Sequence, residues 1–380
     1  MPQPEQLATP AASQLPEVAG IISADQLLAT GHSIAAEQQR SGAIGWPDGH
    51  IDAWNHVECA MALTTCGLHE NARRAYAWLA ATQQPDGSWP VRAADGADTE
   101  HTTESNHAAY AAVGAWHELL VTGDEDFAAQ MWPVVRVGIE FALGLQTARG
   151  EIIWRRLADG SPDTYALLTG SSSMYSSLRC AVALAERVGD PQPDWELAAT
   201  QLGHAVACHP DVFADKSRFS MDWYYPVLGG PVRGAAARRM LTAGWDTYVA
   251  PDLGVRCVRD EPWVTGAETC ELAIALDAIG DIGLAFELFE QIQFLRDRSS
   301  GAYWTGWQFE NHKHFPHEQS AYTAAAVVLA ADTLSNTTGA AGLFRDIGAG
   351  RSVFQAADPA VCGCTGEIAG ADSPALPPPQ

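Results

Sequence analysis

The chain has 380 residues and sets 22 Lys+Arg against 46 Asp+Glu, a formal net charge of −24, with only two lysines, Lys216 and Lys313. So acidic a chain is a poor ligand for nucleic acid or for an anionic membrane surface, since both demand clustered cations. Hydrophobic residues at 47% and charged ones at 18% make a globular composition without the run of about 18 apolar residues a membrane span needs, and eight cysteines are too sparse for a disulfide scaffold, which points to a reducing, cytoplasmic compartment.

The opening stretch, MPQPEQLATPAASQLPEVAG, has neither the basic start nor the apolar centre of a secretory signal. Residues 1–22, rich in Pro, Ala and Gln, are expected to be disordered, as is 352–380, which ends in PALPPPQ. The span between them, 23–351, reads as one domain, helical almost throughout. Its first helix, over 24–39, has one polar and one apolar face; the second, over 51–66, is apolar on nearly every side. The two kinds then alternate. Amphipathic helices fall over 70–83, 125–146, 194–208, 231–246 and 283–297, and apolar ones over 102–121, 170–188, 217–228, 263–279 and 317–335. A helix apolar all round belongs inside, and one with a polar stripe belongs at the surface. The alternation therefore predicts a repeat of helix pairs. Six inner and six outer helices close into a ring if 24–39 packs outside 317–335. The expected fold class is all-α, an (α/α)6 barrel, or toroid, of six helical hairpins.

A second marker keeps the same beat: QQRSGAIGW at 38–46, QQPDGSW at 83–89, LQTARGEIIW at 145–154 and LRDRSSGAYW at 295–304. Each ends an outer helix, turns on a glycine able to take the left-handed conformation and reaches a Trp that can pack back on the next helix. These four Trp read first as packing residues.

Helical hairpins with Q…DGSW turns resemble the α/α toroid enzymes. The stretch SNHAAYAAVGAWHELLVTGDEDFAAQMWPVVRVGIEFALGLQTARGEIIW, 105–154, looks most like the six-hairpin, glucoamylase-like glycosidases. The chain also resembles actinobacterial-type proteins labelled prenyltransferase or squalene-cyclase-like. The likeness covers most of 24–346. It implies a carbohydrate-active enzyme, a glycoside hydrolase working with two carboxylates. The alternatives on the same toroid are a prenyltransferase or terpene-cyclase-like enzyme and a non-catalytic sugar-binding protein. The zinc-ligand places of protein prenyltransferases read here Glu268-Thr269-Cys270 and Glu318-Gln319-Ser320, with serine where the family has histidine. Neither DxDD nor DDxxD occurs.

A mostly parallel inner ring puts six helix N-termini, with their free N–H groups and partial positive charge, at one mouth. The residues there are acids and aromatics, which suit a sugar: rings stack on pyranose faces, carboxylates bond hydroxyls, and two carboxyls are what glycoside hydrolysis needs. Candidate catalytic acids are Asp222, Glu268, Glu318 and Glu104, with Asp222 or Glu268 as acid and Glu318 as base. Candidate substrate contacts are Asp52, Trp54, His56, Asn106, Trp223, Tyr224, Trp263, Trp304, Trp307 and His317. Structural alternatives stand beside them. Thr265-Gly-Ala-Glu268 fits a capping box, Glu104 and Glu318 in first turns gain from the helix dipole, and Asp222 stands four residues from Arg218. His312, His314 and His317 match no strong metal template, and Cys362-Gly-Cys364 is a weak signal. No metal or cofactor is expected; only the isoprenoid alternative would use a divalent metal. The expected partner is an oligosaccharide or other small-molecule substrate, and the oligomeric state is left open.

Overall fold

Alanine sets the spacing of the inner layer. The helix α12 (Ala321–Ser335), AYTAAAVVLAADTLS, is buried over nearly its whole length, because small side chains on every face let neighbours approach from every side. The same holds for α2 (Ala53–Thr65), α4 (Ser105–Thr122), α6 (Leu168–Val188) and α10 (Gly266–Ala278), whereas the short α8 (Met221–Leu228), MDWYYPVL, is buried through large aromatic side chains. These six pack in sequence order, and α12 returns to α2, so the inner layer is a closed ring. Outside them lie α1 (Ala24–Glu37), α3 (His69–Thr82), α5 (Glu125–Leu143), α7 (Pro193–Cys208), α9 (Gly234–Tyr248) and α11 (Ile282–Gln291), each on an inner partner, with α1 on α12. The fold is the expected α/α toroid of six hairpins. The computed structural model describes residues 14–94, 97–98 and 102–345. The sequence expectations for 1–13 and 346–380, Cys362-Gly-Cys364 included, lie outside these. Residues 14–22, expected to be disordered, belong to the fold: Val18 and Ile22 are buried and pair with each other.

The four turn motifs share one physical device. In the first three, a Gln at the outer helix end donates both to the carbonyl of its own turn glycine and to a carbonyl of the next outer helix. Gln38 bridges Gly42 and Asn71, Gln83 bridges Gly87 and Val134, and Gln146 bridges Gly150 and Ala198. Three residues further along, the same outer helix presents a carbonyl against the glycine: a Cβ on Gly42, Gly87 or Gly150 would stand 2.2, 2.1 or 2.6 Å from the carbonyl oxygen of Arg74, Val137 or Gln201. All three glycines have φ near +100°, so neither conformation nor space admits a side chain. The fourth turn closes the ring on α1. Gly301 packs on Ala29, Arg296 donates to the carbonyl of Gln26, and Thr30 donates to the carbonyl of Gly301.

The connections at one end carry short strands beside the helical ring. Strands β1 (Ala93–Ala94) and β2 (Ala97–Asp98) form one small antiparallel pair, and β3 (Thr103–Glu104) and β4 (Arg155–Arg156) another. A five-stranded antiparallel sheet runs β5 (Val249–Ala250), β6 (Gly254–Arg256), β7 (Trp263–Thr265), β8 (Gly306–Gln308), β9 (Lys313–His314) in spatial order. Strand β7 leads directly into α10, so the sheet borders the end of the toroid where the inner helices begin.

Candidate active site

The rim is built from helix starts. Asp52 caps α2: one carboxylate oxygen accepts the Asn55 backbone N–H at 2.8 Å, and the other accepts Trp46 Nε1–H at 2.7 Å and the Asn55 amide at 2.6 Å. Three of its roughly four lone-pair positions are thus taken by donors, leaving room for one more. Glu104 precedes α4 without capping it and is paired across β3–β4 with Arg155. His107 stands between these acids, its Nε2 3.6 Å from Glu104 and 3.9 Å from Asp52. Burial pushes the Glu104 carboxyl upward, against the pull of His107. Beside it Arg155 lies over the Trp154 ring and binds Asp163 at 2.7 Å. Asn106 is buried against α6, and both of its amide atoms, like the hydroxyls of Ser171 and Ser173, lack a partner among the described residues.

On the opposite arc, Asp222 accepts the Thr169 hydroxyl at 2.6 Å, which joins the starts of α8 and α6. Its carboxyl is pushed up by burial. Arg218 does not pair with it and instead binds Asp260. Glu268 forms no capping box, because Thr265 makes no cap bond; its carboxylate instead faces the Cys257 thiol and Glu271. Glu318 lies before α12, not in its first turn, and receives a long 3.4 Å bond from Thr305. The cap of α12 is Ser320, the residue standing at the prenyltransferase ligand position.

Below the rim lies a pair of acids. Glu58 accepts Trp54 Nε1–H at 2.8 Å and the Tyr110 hydroxyl at 2.9 Å, both on one oxygen. Glu271 accepts the hydroxyls of Tyr224, of Tyr225 at 2.7 Å and of Tyr322 at 2.9 Å. Both line one cavity with Ser173, Ser176, Leu228 and Phe344. Burial first, then like charge, raises both: Glu58 to about 8, with Glu271 as the repelling neighbour, and Glu271 to about 7, with Glu268 as the neighbour.

The aromatic candidates divide. Trp54 is half-buried between Tyr110 and Tyr225. On the sheet side, His314 and His317 lie on Trp304, His314 meets Trp307 edge-on, and Phe315 packs on Trp263. Three sequence candidates do not offer a free surface to a ligand. His56 is spent on the layer behind: its Nδ1 accepts from Ile44 N–H, its Nε2 donates to the Ala75 carbonyl, and burial lowers it to about 4. It shares no face with Asp52, because Asp52 is an extended cap residue outside the helix. Trp223 points to α9, stacked on Tyr248 and donating to the Met240 carbonyl. Tyr224 is fully buried behind Glu271. Conversely, Trp46 and Trp154, read as turn packers, face the rim acids; only Trp89 is a plain packer, buried and donating to the Leu79 carbonyl. The signal for Trp46 was its six-residue distance from Asp52, and for Glu58 the i, i+4 spacing from Trp54.

Among the described residues no group of three or more His, Cys, Asp or Glu could hold a metal, and no helix is long and apolar enough to cross a membrane. No protein-family profile matches the chain. Solved structures share the fold. They include a D-mannose isomerase (TM-score 0.59, 13% identical, 82% of this chain and 97% of that one). A cellobiose 2-epimerase from Spirochaeta thermophila DSM 6192 gives TM-score 0.59 at 10% identity, over 80% and 93%. A rhamnosidase from Klebsiella oxytoca gives TM-score 0.55 at 16% identity, over 86% and 66%. These likenesses place the chain in the six-hairpin α/α toroid class of fold. Within that class one relative is much nearer: the MMP endo-(1,4)-3-O-methyl-alpha-D-mannosidase of Mycolicibacterium hassiacum (strain DSM 44199 / CIP 105218 / JCM 12690 / 3849) is 50% identical over 334 residues, 88% of this chain and 92% of that protein. The chain belongs to the family of that endo-mannosidase and is a glycoside hydrolase; the isoprenoid alternative is set aside.

Proposed function

We propose that the protein cleaves internal α-(1,4) bonds in chains of 3-O-methylmannose, with Glu268 as general acid and Asp52 as general base or nucleophile. The observation that carries the substrate class is the 50% identity, over nearly the whole chain, to an enzyme of that name. The assignment of acids rests on geometry. Each candidate stands near one member of the Glu58–Glu271 pair: Asp52 acts on Glu58, and Glu268, three residues before Glu271 on α10, acts on Glu271. Asp52 is fixed by three donors and has one lone-pair direction to spare, which suits a group that takes a proton from water or attacks the sugar carbon. Glu268 stands at the start of α10 beside Glu271 and the Cys257 thiol, one helical turn from the buried cluster, which places its carboxyl where it can meet the leaving oxygen. Glu318 is a weaker base candidate, on a segment outside the ring and held by a single long bond. Asp222 and Glu104, together with Asn106, Trp54, Trp46 and Trp304, are assigned to sugar contact.

The test is hydrolysis of a purified 3-O-methylmannose polysaccharide followed by mass spectrometry. Endo cleavage gives a spread of oligomers from the first minutes. Asp52→Asn and Glu268→Gln should each lower kcat by about a thousandfold or more; the melting temperature should be preserved in Glu268→Gln and fall in Asp52→Asn, whose amide must turn a donor toward one of the groups that Asp52 now accepts from. Either variant retaining full turnover removes that residue from the assignment. Release of monosaccharide alone defeats the endo reading.

A further inference from the structure

Five of the six inner helices send a hydrogen-bonding side chain to one place inside the ring. Glu58 and Trp54 come from α2, Tyr110 from α4, Tyr224 and Tyr225 from α8, Glu271 from α10 and Tyr322 from α12. The sixth, α6, lines the same cavity with Ser173 and Ser176. Five donors thus converge on two carboxyls. Among the described residues no arginine, lysine or histidine pairs with either. Two buried carboxyls without a cation cannot both ionise cheaply.

The cluster touches the rim at three points. Tyr322, bound to Glu271, tilts against Trp46, which holds Asp52. Tyr225, also bound to Glu271, meets the edge of Trp54, which is bound to Glu58. Glu271 itself follows Glu268 by three residues on α10, one turn along the same face.

We propose that Glu58 and Glu271 are positioning residues that act as one proton-sharing pair: holding a proton, the pair clamps the Trp54–Tyr225–Tyr322 floor beneath Asp52 and Glu268, and losing it opens the clamp and turns the enzyme down. The inference rests on the assignment of Asp52 and Glu268 above. The proton leaves to solvent, and the two like charges then repel within a ring of phenols that can donate but offer no counter-charge. The titratable groups facing the pair are Asp52 and Cys59 on α2, Tyr110 on α4, Tyr224 and Tyr225 on α8, Glu268 and Cys270 on α10, Tyr322 on α12, and Cys257 beside Glu268. None of these carries a positive charge; the phenols and the Trp54 indole favour the ionised carboxylates by donating to them, but burial and like charge outweigh that help. The raised carboxyls put the loss between neutral and mildly alkaline pH.

Glu58 allows a clean test. Both of its hydrogen bonds fall on one oxygen, so Glu58→Gln keeps Trp54 and Tyr110 in place and removes only the titration. Its kcat at pH 6 should stay within about threefold of wild type, KM should be unchanged, and the alkaline limb of kcat should move up by about one pH unit or vanish. Glu271→Gln must turn a donor toward one of three phenols and should lose activity at every pH. A readout without substrate accompanies these. The infrared absorption of protonated carboxyls in the wild type should disappear between about pH 6 and 9, and in Glu58→Gln it should lose its higher-pH component, leaving the titration of Glu271. A wild-type alkaline limb together with an unchanged band in Glu58→Gln overturns the proposal, whichever residues perform the chemistry. Full activity in Asp52→Asn or Glu268→Gln would defeat the catalytic assignment alone, because the infrared titration does not depend on it.

Discussion

Trp46 and Trp89 occupy the same place in two copies of one turn motif, and their indole N–H groups do different things. Trp46 donates to Asp52, a charge-bearing acceptor at the rim; Trp89 donates to a backbone carbonyl in the core. A hydrogen bond to a charged group contributes about 1.5–3 kcal/mol and a neutral buried one about 1 kcal/mol. Trp46→Phe should therefore lower stability by about 1.5–3 kcal/mol and also cut kcat/KM by roughly tenfold or more. Trp89→Phe should lower stability by about 1–2 kcal/mol with kcat/KM intact. Equal activity losses in both would show that Trp46 is only a packing residue. This pair also marks how far the site was legible. The acids were readable because helix starts can be located and carboxylates there are conspicuous. The direction of each side chain was not. His56 and Trp223 lie within a turn of rim residues yet face the outer layer, while Glu58 and Glu271 lie deeper and face inward. Helical spacing gives faces relative to one another, and nothing in a single sequence says which face meets the lumen when every face is apolar.

The helices themselves were legible to within a few residues, because alternation of all-apolar and amphipathic segments is a strong periodic signal over a dozen residues. The strands were not. Trp263–Thr265 and Gly306–Gln308 are three residues long, below the length at which a period of two can be seen. The turns were visible as motifs, but their reason is tertiary: the glycine is required by a carbonyl on the next outer helix, about thirty to fifty residues along the chain. Two glycines separate these causes. Gly49 has φ +88° and open space around it, whereas Gly87 has φ +93° and a carbonyl oxygen 2.1 Å from the place of a Cβ. Gly49→Ala should cost only the conformational strain, about 1 kcal/mol. Gly87→Ala must in addition displace α5 and should cost more than about 3 kcal/mol. Equal shifts in denaturant midpoint at the two sites would mean that the α3–α5 contact yields freely and that the turn device does not set the spacing of the outer ring.

Over the whole molecule the −24 charge separates into acids that folding makes harder to ionise and acids that folding makes easier. Glu58, raised to about 8, Glu271, raised to about 7, and Glu104 and Asp222, also raised, hold protons in the folded ring that an unfolded chain has already released. For these groups the folded state binds more protons than the unfolded one from the ordinary carboxylate range up to the raised values. Stability must then fall as pH climbs through that window. Asp297, lowered to about 2 by Ser299 and its backbone, and Asp124 and Asp163, lowered with the help of Arg73 and Arg155, work the other way and withdraw stability only under acid. These three are already fully ionised well below neutrality and add no slope there, so the buried set decides the slope above neutrality. The melting temperature should peak near about pH 5–6 and decline steadily to pH 9. General repulsion among surface carboxylates adds to the decline, but salt screens it within a Debye length and reaches the buried ring poorly. Raising NaCl from about 0.02 to 0.5 M at pH 8.5 should therefore restore part of the lost melting temperature and leave a residue that salt does not remove. That residue should shrink in Glu58→Gln, which has one titrating carboxyl fewer inside the ring. Complete restoration by salt in the wild type would assign the whole pH dependence to the surface and none of it to the acids enclosed by the six inner helices.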